Sequence, residues 1–183
     1  MDALTLLLER RSCAALTAPA PEGAALTTLL KAALRVPDHK RLRPYEFLIA
    51  SGEGLDRLGA LFARAAQAAG QDEAKVERAA RLPHRAPLVV VVVARSRPSD
   101  GVTPFDQQLT AGCAVMAMQM AAQALGFGGI WRSGWLMDDP TVAEGLGLGE
   151  GDRIVGFLYL GTPVQAPTTA LPDVDPNGFV RTL

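Results

Sequence analysis

The pattern of apolar residues is strongest over residues 105–134. They recur there at helical spacing in two stripes, one of Leu109, Cys113, Met116 and Met120 and the other of Ala114, Ala117, Ala121 and Ala124. This spacing predicts an α-helix over 105–125 that is apolar on two sides and therefore buried. Gly126 ends the predicted helix, and an extended segment then leads to Arg132 and Ser133.

The sequence leaves three interpretations of this helix. No charged residue occurs between Asp106 and Arg132, so a membrane span is one interpretation. Thr110, Gln119 and Gln123 interrupt the run, however, and most of it is Ala rather than Leu or Ile. We therefore interpret it as the core helix of a soluble fold. Its Met and Ala surfaces would suit a subunit interface equally well.

The rest of the chain predicts alternating helices and strands. Asp2 is expected to cap a short helix with Leu4, Leu7 and Leu8 facing inward. The β-branched run from Pro87 to Ala94 predicts a strand covered on both sides. Other strands are expected at 44–50 and 152–161, and other helices at 21–35, from Gly52, at 72–81 and at 141–146. This order fits an α+β fold with helices around a sheet. The tail from Thr162 has no core pattern and is expected to lie across another surface.

Composition and charge narrow the class of protein. The 183 residues are 49% apolar, which suits one domain over 1–183 with a full core. The formal net charge is -1 and no basic run exceeds two residues, which argues against nucleic-acid or acidic-membrane binding. Cys13 and Cys113 are interpreted as buried thiols in a reducing compartment. At the N-terminus an acid precedes a short apolar run and arginines follow it. We therefore predict no signal peptide and a cytoplasmic protein.

Candidate chemistry is sparse in the residues themselves. Arg10, Arg11 and Ser12 lie at a predicted helix end, where the arginines would complement the helix dipole or, with the hydroxyl, form a phosphate cradle. His39 lies in a polar loop and is either solvated or a ligand contact. The glycines at 126–129 follow a helix rather than a strand, so they do not match a dinucleotide-binding fingerprint. The two histidines show no metal-site spacing.

Four ordered motifs resemble the flavin-dependent nitroreductase family, and within it the small enterobacterial-type NAD(P)H nitroreductases. They are RRS at 10–12, RVPDHKRLRPYEF at 35–47, AGCAVMAMQMAAQALGFGGIWRSG at 111–134 and DRIVGFLYLGTP at 152–163. The resemblance covers nearly the whole chain. It implies an α+β fold with a mixed sheet surrounded by helices, in an intertwined homodimer. It also implies FMN at the subunit interface, with both chains contributing to each site.

The resemblance also implies roles for individual residues. FMN contacts are implied for Arg10, Arg11 and Ser12, for Arg35 and His39 from the partner subunit, and for Trp131, Arg132 and Ser133. The NAD(P)-binding segment is implied at Ala121, Ala122, Gln123, Ala124, Leu125 and Gly126. Many relatives carry a basic residue soon after a Gly-x-Pro such as the one at 161–163. Here none occurs before Arg181, which would shift more of the phosphate binding to Arg132.

The predicted activity follows from these implications. Hydride would pass from NAD(P)H to FMN, and electrons would then pass to a nitroaromatic, quinone or other electrophile in a ping-pong mechanism. The flavin would carry the chemistry, so no catalytic side chain is predicted. The alternative is a protein that stores or senses FMN without turnover, which Trp131 or Trp135 covering the open flavin face would favour.

Overall fold

An antiparallel sheet forms the centre of the molecule, which was described from a computed structural model over residues 2–165 and 170–183. The strand β5 pairs with three others, and the edge strand β2 pairs with β3. The strands are β1 (Leu16–Thr17), β2 (Tyr45–Ser51), β3 (Leu88–Ala94), β4 (Gly128–Arg132) and β5 (Arg153–Pro163). All four pairings among the described residues are antiparallel, so the parallel pair that a mixed sheet needs is not among them.

Within residues 2–165 and 170–183, six helices surround the sheet and confirm the α+β class. They are α1 (Ala3–Glu9), α2 (Gly23–Ala33), α3 (Glu53–Ala68), α4 (Glu73–Arg81), α5 (Pro104–Ala124) and α6 (Pro140–Gly145). Short 3₁₀ turns lie at His39–Arg41, Pro83–Arg85, Trp135–Met137 and Pro176–Phe179. The strands and helices predicted from the sequence are present at nearly the predicted positions. No helix within the described ranges is long and apolar enough to cross a membrane.

The strand β3 divides the hydrophobic core into two layers. All seven of its residues are buried, as its unbroken β-branched run predicts. Val89, Val91 and Val93 pack with α3, α4 and α6 on one face of the sheet. Val90 and Val92 pack with α2 and α5 on the other. Successive side chains of a strand point to opposite faces of the sheet. Since both sets pack against helices, both faces of the sheet are covered.

The central helix α5 is confirmed, but its two-sided burial is wrong for the single chain. Thr103 and Asp106 form a capping box at its start. The buried face consists of Gln107, Thr110, Ala111, Ala114, Val115, Met118, Gln119 and Ala122. In the first predicted stripe, Leu109 is 53% and Met116 47% exposed. In the second stripe, Ala114 is buried, Ala117 and Ala121 are partly buried and Ala124 is exposed, so that stripe lies at the edge of the buried face.

The leucines of α1 and the two cysteines are also more exposed than the sequence predicted. Leu4, Leu7 and Leu8 of α1 are exposed rather than facing inward. Cys113 is exposed on α5, and Cys13 is only partly buried. Helix α1 contacts α5. We call the exposed apolar residues of these two helices the α1–α5 surface: Leu4, Leu7, Leu8, Leu109, Cys113 and Met116.

The C-terminal tail adds further exposed apolar side chains. Val174, Phe179 and Val180 are all largely exposed in the described part of the tail. The prediction that the tail lies across another surface also concerns residues 166–169, which lie outside the described residues. For residues 170–183 the high exposure agrees with the absence of a core pattern.

Candidate active site

Two hydrogen bonds anchor the segment that follows α1 beside the sheet, and a third joins α5 to β4. The Cys13 amide donates to the Gly129 carbonyl at 2.9 Å, and the Gln119 side-chain amide donates to the same carbonyl at 3.0 Å. The Arg11 amide donates to Gln123 Oε1 at 3.4 Å. This segment therefore lies between the C-terminal half of α5 and β4. The anchoring brings Arg10 and Ser12, distant in sequence, to the end of β4.

A groove of about 500 Å³ opens at this junction, and we call it the Arg10 groove. Its lining combines one guanidinium, two hydroxyls, an amide and apolar surface: Arg10, Ser12, Met116, Gln119, Trp131, Ser133 and Val155. Four of the residues singled out in the sequence thus meet in one place, namely Arg10, Ser12, Trp131 and Ser133. The groove can accept an anionic group at one end and a flat apolar group along its wall.

The wall is formed by Trp131, which is fixed on the neighbouring strand. Its Nε1 donates to the Val155 carbonyl at 3.1 Å. The indole lies over Gly156, where any Cβ would overlap Nε1. On its other side, the ring end faces Gly112 of α5. The Trp131 side chain is still 40% exposed, so one surface remains open to a ligand.

Strand alternation places the Arg132 side chain on the opposite face of the sheet. Trp131 pairs with Leu158 in the α5 layer, whereas Arg132 pairs with Phe157 in the α3 layer. A second groove of about 310 Å³ lies there, and we call it the Arg132 groove. The two grooves share Trp131 and Ser133. The structure therefore does not bring the Arg132 side chain to Arg10 and Ser12, and an FMN contact through that side chain stays a prediction.

The surroundings of Arg132 are aromatic and cationic. Its guanidinium carbon lies 5.5 Å from the centre of the Tyr159 ring. Burial raises the pKa of the Tyr159 hydroxyl above its ordinary value, and the positive charges of Arg132 and Arg85 oppose that rise. The Nε of Arg132 is buried and has no hydrogen-bond partner among the described residues. Arg85 also lines this groove, although nothing in the sequence distinguished it from solvated arginines.

Arg35 and His39 lie away from both grooves within the chain. Arg35 lines a separate polar groove with Asp38, Arg41 and Arg43. His39 lies near the start of α5. Hydrogen bonds from Thr103 lower the pKa of Asp106 there, and the charge of His39 acts in the same direction. The resemblance implies that both residues contact the flavin bound by the partner subunit. Their position within a single chain does not test that role, which stays a prediction.

The implied NAD(P)-binding segment forms the end of α5 and the turn after it. Ala122 is fully buried in the core, and Gln123 holds the Arg11 amide. Ala124, Leu125 and Gly126 are exposed, and Gly126 has a φ of +87° that ends the helix. Ala121 is partly buried. The exposed part of the segment is available to a ligand, and its nucleotide-binding role stays a prediction.

Several groove residues were not identified from the sequence. Gln119 is 95% buried yet polar, and such a residue inside an apolar helix needs a partner, which here is Gly129. That rule could have indicated its anchoring role. Met116 and Val155 carry no such signal. No group of three or more metal-ligating side chains occurs within residues 2–165 and 170–183.

Comparison with known proteins identifies the family. The model of the nitroreductase family matches residues 7–162. The chain belongs to the nitroreductase family. It is 49% identical over 180 residues to the Escherichia coli (strain K12) protein named "Putative NAD(P)H nitroreductase YdjA", covering 98% of each chain. It is 39% identical over 184 residues to a Haemophilus influenzae protein named "Putative NAD(P)H nitroreductase", covering 100% of each.

Solved structures share the fold. A nitroreductase-like family protein from Bacillus cereus superposes with a TM-score of 0.86 at 26% identity, over 100% of this chain and 96% of that one. A nitroreductase from Bacteroides fragilis, solved with bound FMN, superposes with a TM-score of 0.75 at 21% identity over 100% of both chains. At that identity the second likeness concerns the fold alone.

Proposed function

We propose that this protein is an FMN-dependent NAD(P)H oxidoreductase that reduces a nitroaromatic, quinone or other small electrophile. The observation that carries the proposal is the Arg10 groove, where Arg10 and Ser12 meet Trp131 and Ser133 in a member of the nitroreductase family. The Escherichia coli and Haemophilus influenzae relatives are named as NAD(P)H nitroreductases, which is an activity of this type.

The residues of the Arg10 groove fit FMN. Arg10 supplies a guanidinium suited to a phosphate, and the Ser12 hydroxyl can donate to a phosphate or ribityl oxygen. Trp131, Met116 and Val155 supply the apolar surface that a flat ring system needs. One cationic end matches one phosphate, so FMN fits better than FAD. When bound, FMN supplies the two-electron chemistry that links the nicotinamide to the acceptor.

The chain's own residues then bind and orient rather than react. Arg10 would offset the phosphate charge, while the Arg11 amide donates to Gln123 and keeps the segment in place. Trp131, held by the Val155 carbonyl, would provide an apolar surface for the ring system. The exposed turn at 124–126 lies beside this segment and is our candidate for the nicotinamide nucleotide contact. One groove that serves both substrates in turn favours ping-pong kinetics.

We further propose that the protein acts as a homodimer through the α1–α5 surface. Leu7 is 56% and Leu109 53% exposed in the single chain, which is a large apolar surface to leave in water. The dimer would also bring Arg35 and His39 of one chain toward the Arg10 groove of the other. A cytoplasmic location is part of the same proposal.

The alternative of flavin storage or sensing has no observation in its favour. Trp131 is hydrogen-bonded to β5 as a wall of the Arg10 groove, and Trp135 lines the Arg132 groove instead.

Reconstitution tests the proposed function. Purified protein is loaded with FMN or FAD, and the chromophore released by acid is identified by mass spectrometry. The loaded protein is then mixed anaerobically with NADH or NADPH while the flavin absorbance is followed. We expect FMN retention and bleaching by at least one nucleotide. Retention of FAD alone, or no bleaching by either nucleotide, would overturn the proposal.

A further inference from the structure

The Arg132 groove contains two cationic groups and no acidic one. Arg85 and Arg132 both line it, and none of its lining residues is Asp or Glu. Neither arginine has an ion pair among the described residues, whereas Arg95 has two. Both line the same groove, and both positive charges act on the Tyr159 hydroxyl. Two like charges gathered without a counter-charge favour an anion.

The buried Nε of Arg132 points to a ligand more directly. A buried donor without a partner loses its bond to water and gains nothing in return, so such donors are rare in folded proteins. The Arg132 guanidinium already lies over the Tyr159 ring, which fixes its plane. An oxygen acceptor entering the groove would relieve the unpaired donor and the two charges together.

The other residues that line the groove indicate which kind of molecule carries the oxygen acceptor. Aromatic residues line much of the groove, namely Phe62, Phe157, Tyr159 and Trp135. An aromatic ring bearing a carboxylate would match this lining, because guanidinium groups bind planar carboxylates bidentately and aromatic walls favour a ring. A volume of about 310 Å³ is enough for a single substituted ring but small for a nucleotide.

We propose that the Arg132 groove binds an aromatic carboxylate, with its carboxylate on Arg85 and Arg132. Trp131 and Ser133 line both grooves, but the two grooves lie on opposite faces of the sheet, so this ligand is distinct from the substrates that share the Arg10 groove. The proposed carboxylate site therefore stands without the proposed function.

Calorimetric titration of the oxidised, FMN-loaded protein with benzoate tests the site, with methyl benzoate as the uncharged partner. We expect benzoate to bind at least about 10-fold more tightly than the ester, the factor of one charge-assisted hydrogen bond. Arg85→Gln and Arg132→Lys should each weaken benzoate binding by about 10-fold, since the first removes a charge and the second the planar fork. The ester should be unaffected.

Arg81→Gln is the matched control. Arg81 lies four residues from Arg85, but its side chain is 72% exposed and pairs with Glu77. The Arg81→Gln variant should therefore bind benzoate as the unmodified protein does. If Arg85→Gln binds benzoate as the unmodified protein does, the carboxylate lies elsewhere and the proposal is wrong. If Arg85→Gln instead weakens FMN binding, the groove holds the flavin phosphate and the proposal is equally overturned. Arg85 is exposed, so its variant is expected to fold.

Discussion

The indole of Trp131 lies against the backbone of Gly156, so that no side chain larger than hydrogen fits between them. The same contact directs Nε1 to the Val155 carbonyl. A glycine in the middle of a buried strand usually weakens it, and here it allows the close approach of a ring. The position of the Arg10 groove wall therefore depends on a residue that does not line the groove.

Gly156→Ala should displace Trp131. We expect the variant to lose about 1 to 3 kcal/mol of unfolding free energy, because the added methyl overpacks the site. It should also bind FMN more weakly, since the groove wall moves. Urea unfolding and FMN titration measure the two effects. Gly54→Ala is the control, because a Cβ there meets its neighbours at 3.7 Å or more. Equal behaviour of the two variants would show that Trp131 does not depend on Gly156.

Arg10→Gln should weaken FMN binding by about 1.5 to 3 kcal/mol, the range of a charge-assisted hydrogen bond. Arg57→Gln is the control, because that side chain is 74% exposed and lies on α3. Arg132→Gln is expected to have a smaller effect than Arg10→Gln, since its side chain occupies the other face of the sheet. Fluorescence titration of the apoprotein gives all three affinities. A larger effect at Arg132 would place the phosphate in the Arg132 groove.

The sequence predicted the elements well because their patterns are local. The valine run of β3 and the capped apolar helix α5 need no long-range information. The Arg10 groove depends instead on contacts between distant residues, such as the bond from Cys13 to Gly129. Alternation alone puts Trp131 and Arg132 on opposite faces, yet only the pairing of β4 with β5 decides which helices cover each face.

The errors in burial have one cause. Apolar residues of α1 and α5 were expected inside, and they are exposed in the single chain. Sequence pattern reports that a surface is apolar and does not distinguish a core from an interface. That residues 1–183 form one domain stays a prediction.

Leu109→Lys should separate the proposed dimer. A charge at the α1–α5 surface would be desolvated in an interface but remain in water in a monomer. Sedimentation equilibrium at micromolar concentration should give a dimer for the unmodified protein and a lower mass for the variant. Ile49→Lys, at a position 42% exposed on the edge strand β2, should keep the dimer. A folded monomer of the unmodified protein would contradict the assignment of Arg35 and His39 to the partner's site.

Asp152→Asn should destabilise the fold at neutral pH. Asp152 accepts hydrogen bonds from Arg95 at 2.6 Å, from the Gly149 amide at 2.8 Å and from the Ser96 amide at 3.0 Å. Burial acts to raise the pKa of Asp152, but these bonds outweigh it and hold the pKa below its ordinary value. We expect the loss to be about 1 to 3 kcal/mol at pH 7.

The loss of stability in Asp152→Asn should depend on pH in a defined direction. Because the folded pKa of Asp152 is depressed, its contribution is present above the unfolded value of about 4 and is lost as pH falls through the folded pKa. The difference between the unmodified protein and Asp152→Asn should therefore shrink below about pH 4. Glu53→Gln, at a side chain 91% exposed, should show little effect at either pH. A difference that stays constant down to pH 2 would mean that the ionised carboxylate is not the stabilising species.

Steady-state kinetics should show a ping-pong pattern. Trp131 forms one wall of the Arg10 groove and is anchored to β5, so a bound flavin would have a single open side. The nicotinamide and the acceptor would then occupy that side in turn. Double-reciprocal plots of rate against NAD(P)H at several fixed quinone concentrations should be parallel. Intersecting lines would require both substrates to be bound together, which the single groove does not accommodate. In Gly156→Ala the lines should remain parallel while kcat/KM falls for both substrates, because the displaced indole changes the one surface that they share.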